Sequence, residues 1–150
     1  MGIKIIANNK KARFDFSVVE TFEAGLSLVG SEVKSLRAGN CNLKDSYIAF
    51  KGHEAFLQNA HIPEYTASSY NNHTPERLRK LLMHKNELVK IFSNIKEKGY
   101  SCVPLKIYFK GGKIKLEIAL VKGKKHHDKR QTIKDRDSKR ELQRHLKKSR

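Results

Sequence analysis

Two runs of alternating apolar residues, Val103, Leu105, Ile107, Phe109 and then Ile114, Leu116, Ile118, Leu120, stand on either side of Lys110-Gly111-Gly112. A period of two puts one face of a strand into a core, and a glycine-rich turn joins antiparallel neighbours. The spacing therefore predicts a hairpin, with Lys106, Lys110, Lys113 and Lys115 available to solvent. Similar alternation comes earlier: Phe14, Phe16, Val18 and then Phe22, Ala24, Leu26, Leu28 predict a long, bent, half-buried strand. Tyr47 to Phe50 and Ala55 to Ile62 read as two short strands joined at Lys51-Gly52-His53-Glu54.

Helical signals lie between these strands. Gly30-Ser31 introduces a short helix over Glu32 to Ala38, with Ser31 placed to cap it, Val33 and Leu36 on one face, and Gly39 ending it. After a polar loop from Pro63 to His73, Thr74-Pro75-Glu76 has the residues of a helix start. Leu78, Leu81, Leu82, Leu88, Ile91, Phe92 and Ile95 follow helical spacing as far as Lys98, with His84-Lys85-Asn86 as a point of division into two. Five or six antiparallel strands with two or three helices favour a mainly β fold, a small closed or nearly closed barrel, because closure removes exposed edges.

The other end of the chain behaves differently. Residues 122–150 contain thirteen Lys or Arg and four Asp or Glu, and their only aliphatic side chains are Ile133, Leu142 and Leu146. On an ideal helix Ile133 falls about half a turn from the two leucines, so no apolar stripe docks this segment on a core. We therefore divide the chain into a barrel domain, 1–121, and a basic tail, 122–150, that is unfolded alone. Of the net charge of +17, the tail carries +9 and the body +8, so the cationic character belongs to the whole molecule. A polyanion is the expected partner, and RNA supplies the densest phosphate.

Other classes find less support. Cys41 and Cys102 lie far apart, outside any metal-like spacing, and read as reduced thiols, consistent with a cytoplasmic setting. No run has the apolar length of a membrane span or a signal-peptide core. His126 and His127 invite a zinc reading, but neither cysteine joins them in a ligand pattern, so no metal or other cofactor is expected. Glu23, Glu32, Asp45 and Glu117 are scattered among lysines as surface charges or RNA-orienting groups and form no acid–base pair, so neither an enzyme nor a small-molecule substrate is indicated. The five tyrosines are candidates for base stacking, while most phenylalanines hold core-facing positions. Asn9-Lys10-Lys11-Ala12-Arg13 reads equally as a phosphate-contacting segment and as a frayed terminus. Lys34 and Arg37, three apart on a helix, are further cationic candidates.

Several strings occur in the order they take in one family. They are N-K-K-A-R at 9–13, F-E-A-G at 22–25, G-S-E-V-K-S-L-R-A-G at 30–39, D-S-Y at 45–47, E-A-F-L at 54–57, R-K-L-L at 79–82 and K-G-K-K-H-H-D-K-R at 122–130. The chain resembles the small protein B family, bacterial transfer-messenger-RNA-binding proteins of trans-translation. The resemblance implies an oligonucleotide-binding-type (OB) barrel flanked by helices. It also implies binding to the tRNA-like end of transfer-messenger RNA, in the place an anticodon stem would fill. Glu23 and Lys113 are similar to family residues that engage this RNA, and Leu82 matches a functionally sensitive position for which packing is an equally good account. Lys10, Lys11, Arg13, Lys34, Arg37, Lys124 and Lys125 join the RNA-binding set on charge.

For the tail, the resemblance implies a segment that becomes helical in the empty messenger channel of a stalled ribosome, against small-subunit ribosomal RNA. His127, Asp128, Lys129 and Arg130 match the stretch near the decoding centre, and Lys134 and Arg136 continue along the channel. Ser138 stands where many relatives carry tryptophan. Two other readings stay open: a generic structural or ribosomal RNA-binding protein on the same barrel, and a metal-assisted nuclease using His126 and His127.

Overall fold

The computed structural model describes residues 2–65 and 72–123. Its elements run β1 (Ile3–Asn8), α1 (Lys10–Asp15), β2 (Phe16–Leu26), α2 (Gly30–Arg37), β3 (Tyr47–Lys51), β4 (Glu54–Gln58), β5 (Arg79–Leu82), α3 (Lys85–Lys98), β6 (Ser101–Lys110) and β7 (Lys113–Gly123). All neighbouring strands pair antiparallel, in the order β1-β6-β7-β2-β5-β4-β3. The sheet coils until β3 packs near β6, giving the nearly closed OB-type barrel with three helices around it.

The hairpin is as the spacing predicts, with Lys110 opposite Lys113 and Ile107 opposite Leu116. Leu116, Ile118 and Leu120 point inward to a core with Leu36, Leu57, Leu81 and Ile91. A register shift between Pro104 and Lys106 breaks the alternation on β6, so Val103 and Leu105 join Ala119, Val121 and Ala12 in a second cluster on the outer side. There α1 covers one end of the β6–β7 surface and leaves the rest open.

Several expectations are corrected. The segment before the long strand is not frayed: Ile3–Asn8 pairs with β6, and residues 10–15 are helical. Asn9 sets that helix, since its Oδ1 accepts from the Ala12 N–H at 3.2 Å while its Nδ2 donates to the Pro104 carbonyl at 2.9 Å. The long strand consequently begins at Phe16, not Phe14, and ends at Leu26.

The helix expected from residue 74 to 98 is helical only from Lys85. Arg79–Leu82 is a strand instead, with Arg79 and Leu81 buried and Lys80 and Leu82 exposed. Leucines three and four apart fit a helix, but pairing with β2 and β4 overrides that spacing and sends Leu81 and Leu82 to opposite faces of a strand.

Ser31 lies inside α2 and does not cap it; its hydroxyl meets His73 Nδ1 at 2.9 Å. The cap comes from Glu32, whose Oε1 accepts from the Val29 N–H at 3.0 Å. At the other end Gly39, with φ +84°, lets its own N–H and that of Asn40 reach the carbonyls of Leu36 and Ser35.

Glu32 is also not a surface charge. It is fully buried, accepts from Arg79 Nε at 2.5 Å and Arg77 Nη2 at 2.6 Å, and ties α2 to the segment entering β5. Burial opposes its charge, but Arg77, the Val29 N–H and Arg79 outweigh that and hold its carboxyl below the usual value. The fourth strand is also shorter than expected: β4 stops at Gln58, where Asn59 takes φ +65°. The body's last strand runs to Gly123, two residues past the expected boundary.

Candidate nucleic-acid interface

The open part of the outer sheet surface is built by register. Gly25 of β2 lies opposite both Lys115 of β7 and Leu82 of β5, and Tyr108 of β6 lies opposite Lys115. Glu23 sits two residues before Gly25 on the same face, and Lys110 and Lys113 close the hairpin beside it. One face thus carries Glu23, Leu82, Lys110, Lys113 and Lys115. A groove of about 560 Å³ runs past Glu23, Gly25, Lys80, Leu82, His84 and Lys115. A Cβ on Gly25 would lie 3.3 Å from Leu82 Cβ, so glycine lets the leucine cross this face closely.

Charge on this face is loosely paired. Lys110 Nζ is 3.2 Å from Glu23, Lys106 Nζ is 3.3 Å from Glu117, and Lys80 Nζ is 3.0 Å from Glu54. The Lys110 and Lys80 pairs are exposed and contribute at most about 1 kcal/mol each, so those lysines can exchange their carboxylate for a phosphate at little cost, whereas Lys106 and Glu117 are half-buried together. Glu23 is held more firmly. The Tyr108 hydroxyl donates to its Oε2 at 2.5 Å, and this bond, with help from Lys110 and Lys115, keeps the carboxyl below its ordinary range. Burial and then Glu23 push the Tyr108 phenol upward.

Leu82 is 54% exposed, so packing does not account for its presence there. Arg13, at the end of α1, borders the same surface 3.9 Å from Glu117. Lys10 is exposed, but Lys11 turns aside to Asp45 at 2.6 Å, beside a separate cavity of about 620 Å³ between α1, β3, α3 and β6. Lys34 sits 5.7 Å above the Tyr65 ring, and Arg37 is exposed near the end of α2; the structure does not join either to the cationic face.

The sequence pattern of the SmpB protein family matches residues 6–148. The chain belongs to the SmpB family. An SsrA-binding protein of Bdellovibrio bacteriovorus is 68% identical over 99% of this chain and 98% of its own length. One from Geobacter sulfurreducens is 55% identical over 95% and 93% respectively. A solved chain described as "tmRNA-SmpB: a journey to the center of the bacterial ribosome" is 45% identical, with a TM-score of 0.67 over 80% of this chain and 85% of that one.

Within this SmpB chain, Glu23, Leu82 and Lys113, far apart in sequence, share one surface. Lys124, Lys125, His127, Asp128, Lys129, Arg130, Lys134 and Arg136 lie outside the described residues, as do His126 and Ser138. Among the described residues no cluster of three metal-ligating side chains occurs, and no helix is long and apolar enough to cross a membrane. Sequence reasoning missed Tyr108 as a partner of Glu23. Its place between Ile107 and Phe109 of the alternating run, two strands from Glu23 with β7 between, was a readable sign only once the β2–β7–β6 register was known.

Proposed function

We propose that this chain binds the tRNA-like domain of transfer-messenger RNA on the open sheet face and delivers that RNA to stalled ribosomes for trans-translation. The observation that carries the reading is the convergence of Glu23, Leu82, Lys110, Lys113 and Lys115 on one uncovered surface, in a chain of the SmpB family. Lysines there neutralise backbone phosphate, while Leu82 and Glu23 offer an apolar contact and a hydrogen-bond acceptor that unstructured phosphate does not require. Arg13, near Glu117, extends this surface at its α1 edge, and we add the exposed Lys10 of the same helix on charge.

The function is that of an adaptor and not an enzyme: it asks for two RNA contacts and no bond-making step. The residues that follow β7 supply the second contact by entering the vacant messenger channel, with His127, Asp128, Lys129 and Arg130 at the decoding centre and Lys134 and Arg136 along the wall. The work is cytoplasmic, where ribosomes and reduced thiols coincide. Support comes from the SsrA-binding names of the relatives and from the ribosomal setting of the solved SmpB chain.

The deciding experiment is a competition titration at fixed, near-physiological salt between labelled tRNA-like domain, bulk tRNA and an unrelated hairpin of equal length. A cognate preference on the order of 100-fold, roughly 2.7 kcal/mol, is expected. Equal competition by all three would leave a generic RNA-binding barrel.

A further inference from the structure

Glu23 is out of place on a face that collects phosphate. It is the carboxylate beside Lys110, with Glu117 opposite it across the β2–β7 register but turned to Lys106, and a phosphate approaching Lys110, Lys113 and Lys115 meets it as a like charge. An acid kept there needs a ligand group that donates a hydrogen bond. In RNA, phosphates supply none; the ribose 2′-hydroxyl does, but alike at every nucleotide, so a donor that differs from one RNA to another is an N–H or amino edge of an unpaired base.

The geometry around Glu23 fits that use. Oε2 is occupied, receiving the Tyr108 hydroxyl at 2.5 Å and Lys110 Nζ at 3.2 Å. Oε1 has a longer contact, 3.4 Å, to the same lysine, and the residue as a whole is exposed. Tyr108 is only 3% exposed and stands in register between Ile5 and Lys115, so its phenol is a fixed donor, unlike the flexible lysine. A charge-assisted bond of this kind restricts the carboxylate to one orientation and leaves the second oxygen forward.

We propose that Tyr108 is a positioning residue that aims Glu23 Oε1 at an N–H edge of an unpaired base in the bound RNA. The inference rests on the RNA-binding function proposed above and names the chemical group that the site selects. The lysines set how tightly any RNA binds; the Tyr108–Glu23 pair sets which RNA is preferred.

Tyr108→Phe removes one oxygen and keeps the ring, and it is tested in the full chain, alone and combined with Glu23→Ala. The readout is affinity for the tRNA-like domain and for an unrelated hairpin across a range of salt concentrations. Tyr108→Phe is expected to weaken cognate binding about tenfold, leaving hairpin affinity and both salt slopes unchanged. In the Glu23→Ala background the same change is expected to cost nothing further, because there is no carboxylate left to aim. A merely structural tyrosine would weaken both RNAs, or cost as much with Glu23 absent as with it present; either result overturns the inference. So does an unchanged cognate affinity in Tyr108→Phe while the parent protein discriminates between the RNAs. If the parent protein fails to discriminate at all, the proposed function fails first and the selection by Glu23 falls with it.

Discussion

The guanidinium of Arg79 lies 2.5 Å from the carboxylate of Glu32, and both side chains are fully buried. Arg79 also donates to the carbonyls of Ala60 and Pro75, so one side chain joins α2, the segment after β4 and the entrance to β5. Removing either partner leaves a buried charge short of its counter-ion. Arg79→Met is expected to cost about 3 kcal/mol or more in urea unfolding, and the double change Glu32→Gln/Arg79→Met less than the sum of the single changes.

The same pair sets an acid limit. Because the Glu32 carboxyl is held below its usual value in the fold, its contribution is complete above about pH 4.5 and is lost as pH falls through the depressed value. Stability measured by urea titration is expected to drop below that pH in the parent chain. Glu32→Gln, less stable at neutral pH, is expected to show a shallower acid limb.

Leu82 separates binding from stability. With more than half its surface exposed, Leu82→Ala should change unfolding free energy by about 1 kcal/mol or less while weakening RNA binding measurably. A destabilisation of several kcal/mol, with binding intact, would return the residue to a packing role.

Lys113 and Lys115 are expected to act as phosphate contacts. Replacing either with alanine should reduce the slope of log K against log salt by roughly 0.7 to 0.9 and weaken cognate and unrelated RNA alike. Loss of cognate affinity alone would place that lysine on a base.

Burial pushes the thiols of both Cys41 and Cys102 up to about 12, Arg79 slightly opposing the shift at Cys41. At pH 8 both should react far more slowly with a disulfide reagent in the native protein than in urea, since few thiolates form in the fold. Fast labelling of Cys102, which is 2% exposed, would contradict its core position.

What could be read from the residues follows from how much of each signal is local. The β6–β7 hairpin, the β3–β4 hairpin and the Gly39 stop were legible because alternation and turn glycines lie within a few residues of one another. β5 was not: Arg79-Lys80-Leu81-Leu82 becomes a strand through its partners in β2 and β4, and Arg79 takes a core position only because Glu32 comes to meet it. Likewise, Glu23, Leu82 and Lys113 were named through family resemblance, and no feature of the chain itself said that they touch one surface. Lys34 and Arg37 show the opposite limit, since a pair of cations on a helix carries no sign of which side of the molecule it faces.

β7 begins at the lysine turn on the open face and ends at Gly123, paired with Phe16 beside α1. Eleven residues of strand span roughly 35 Å. The strand is therefore a spacer as well as a wall of the barrel: it holds Lys113 and Gly123 at opposite ends of one rigid, hydrogen-bonded line. A single phosphate group cannot touch both ends, so any one RNA that reaches from the lysine turn to α1 must lie along this strand.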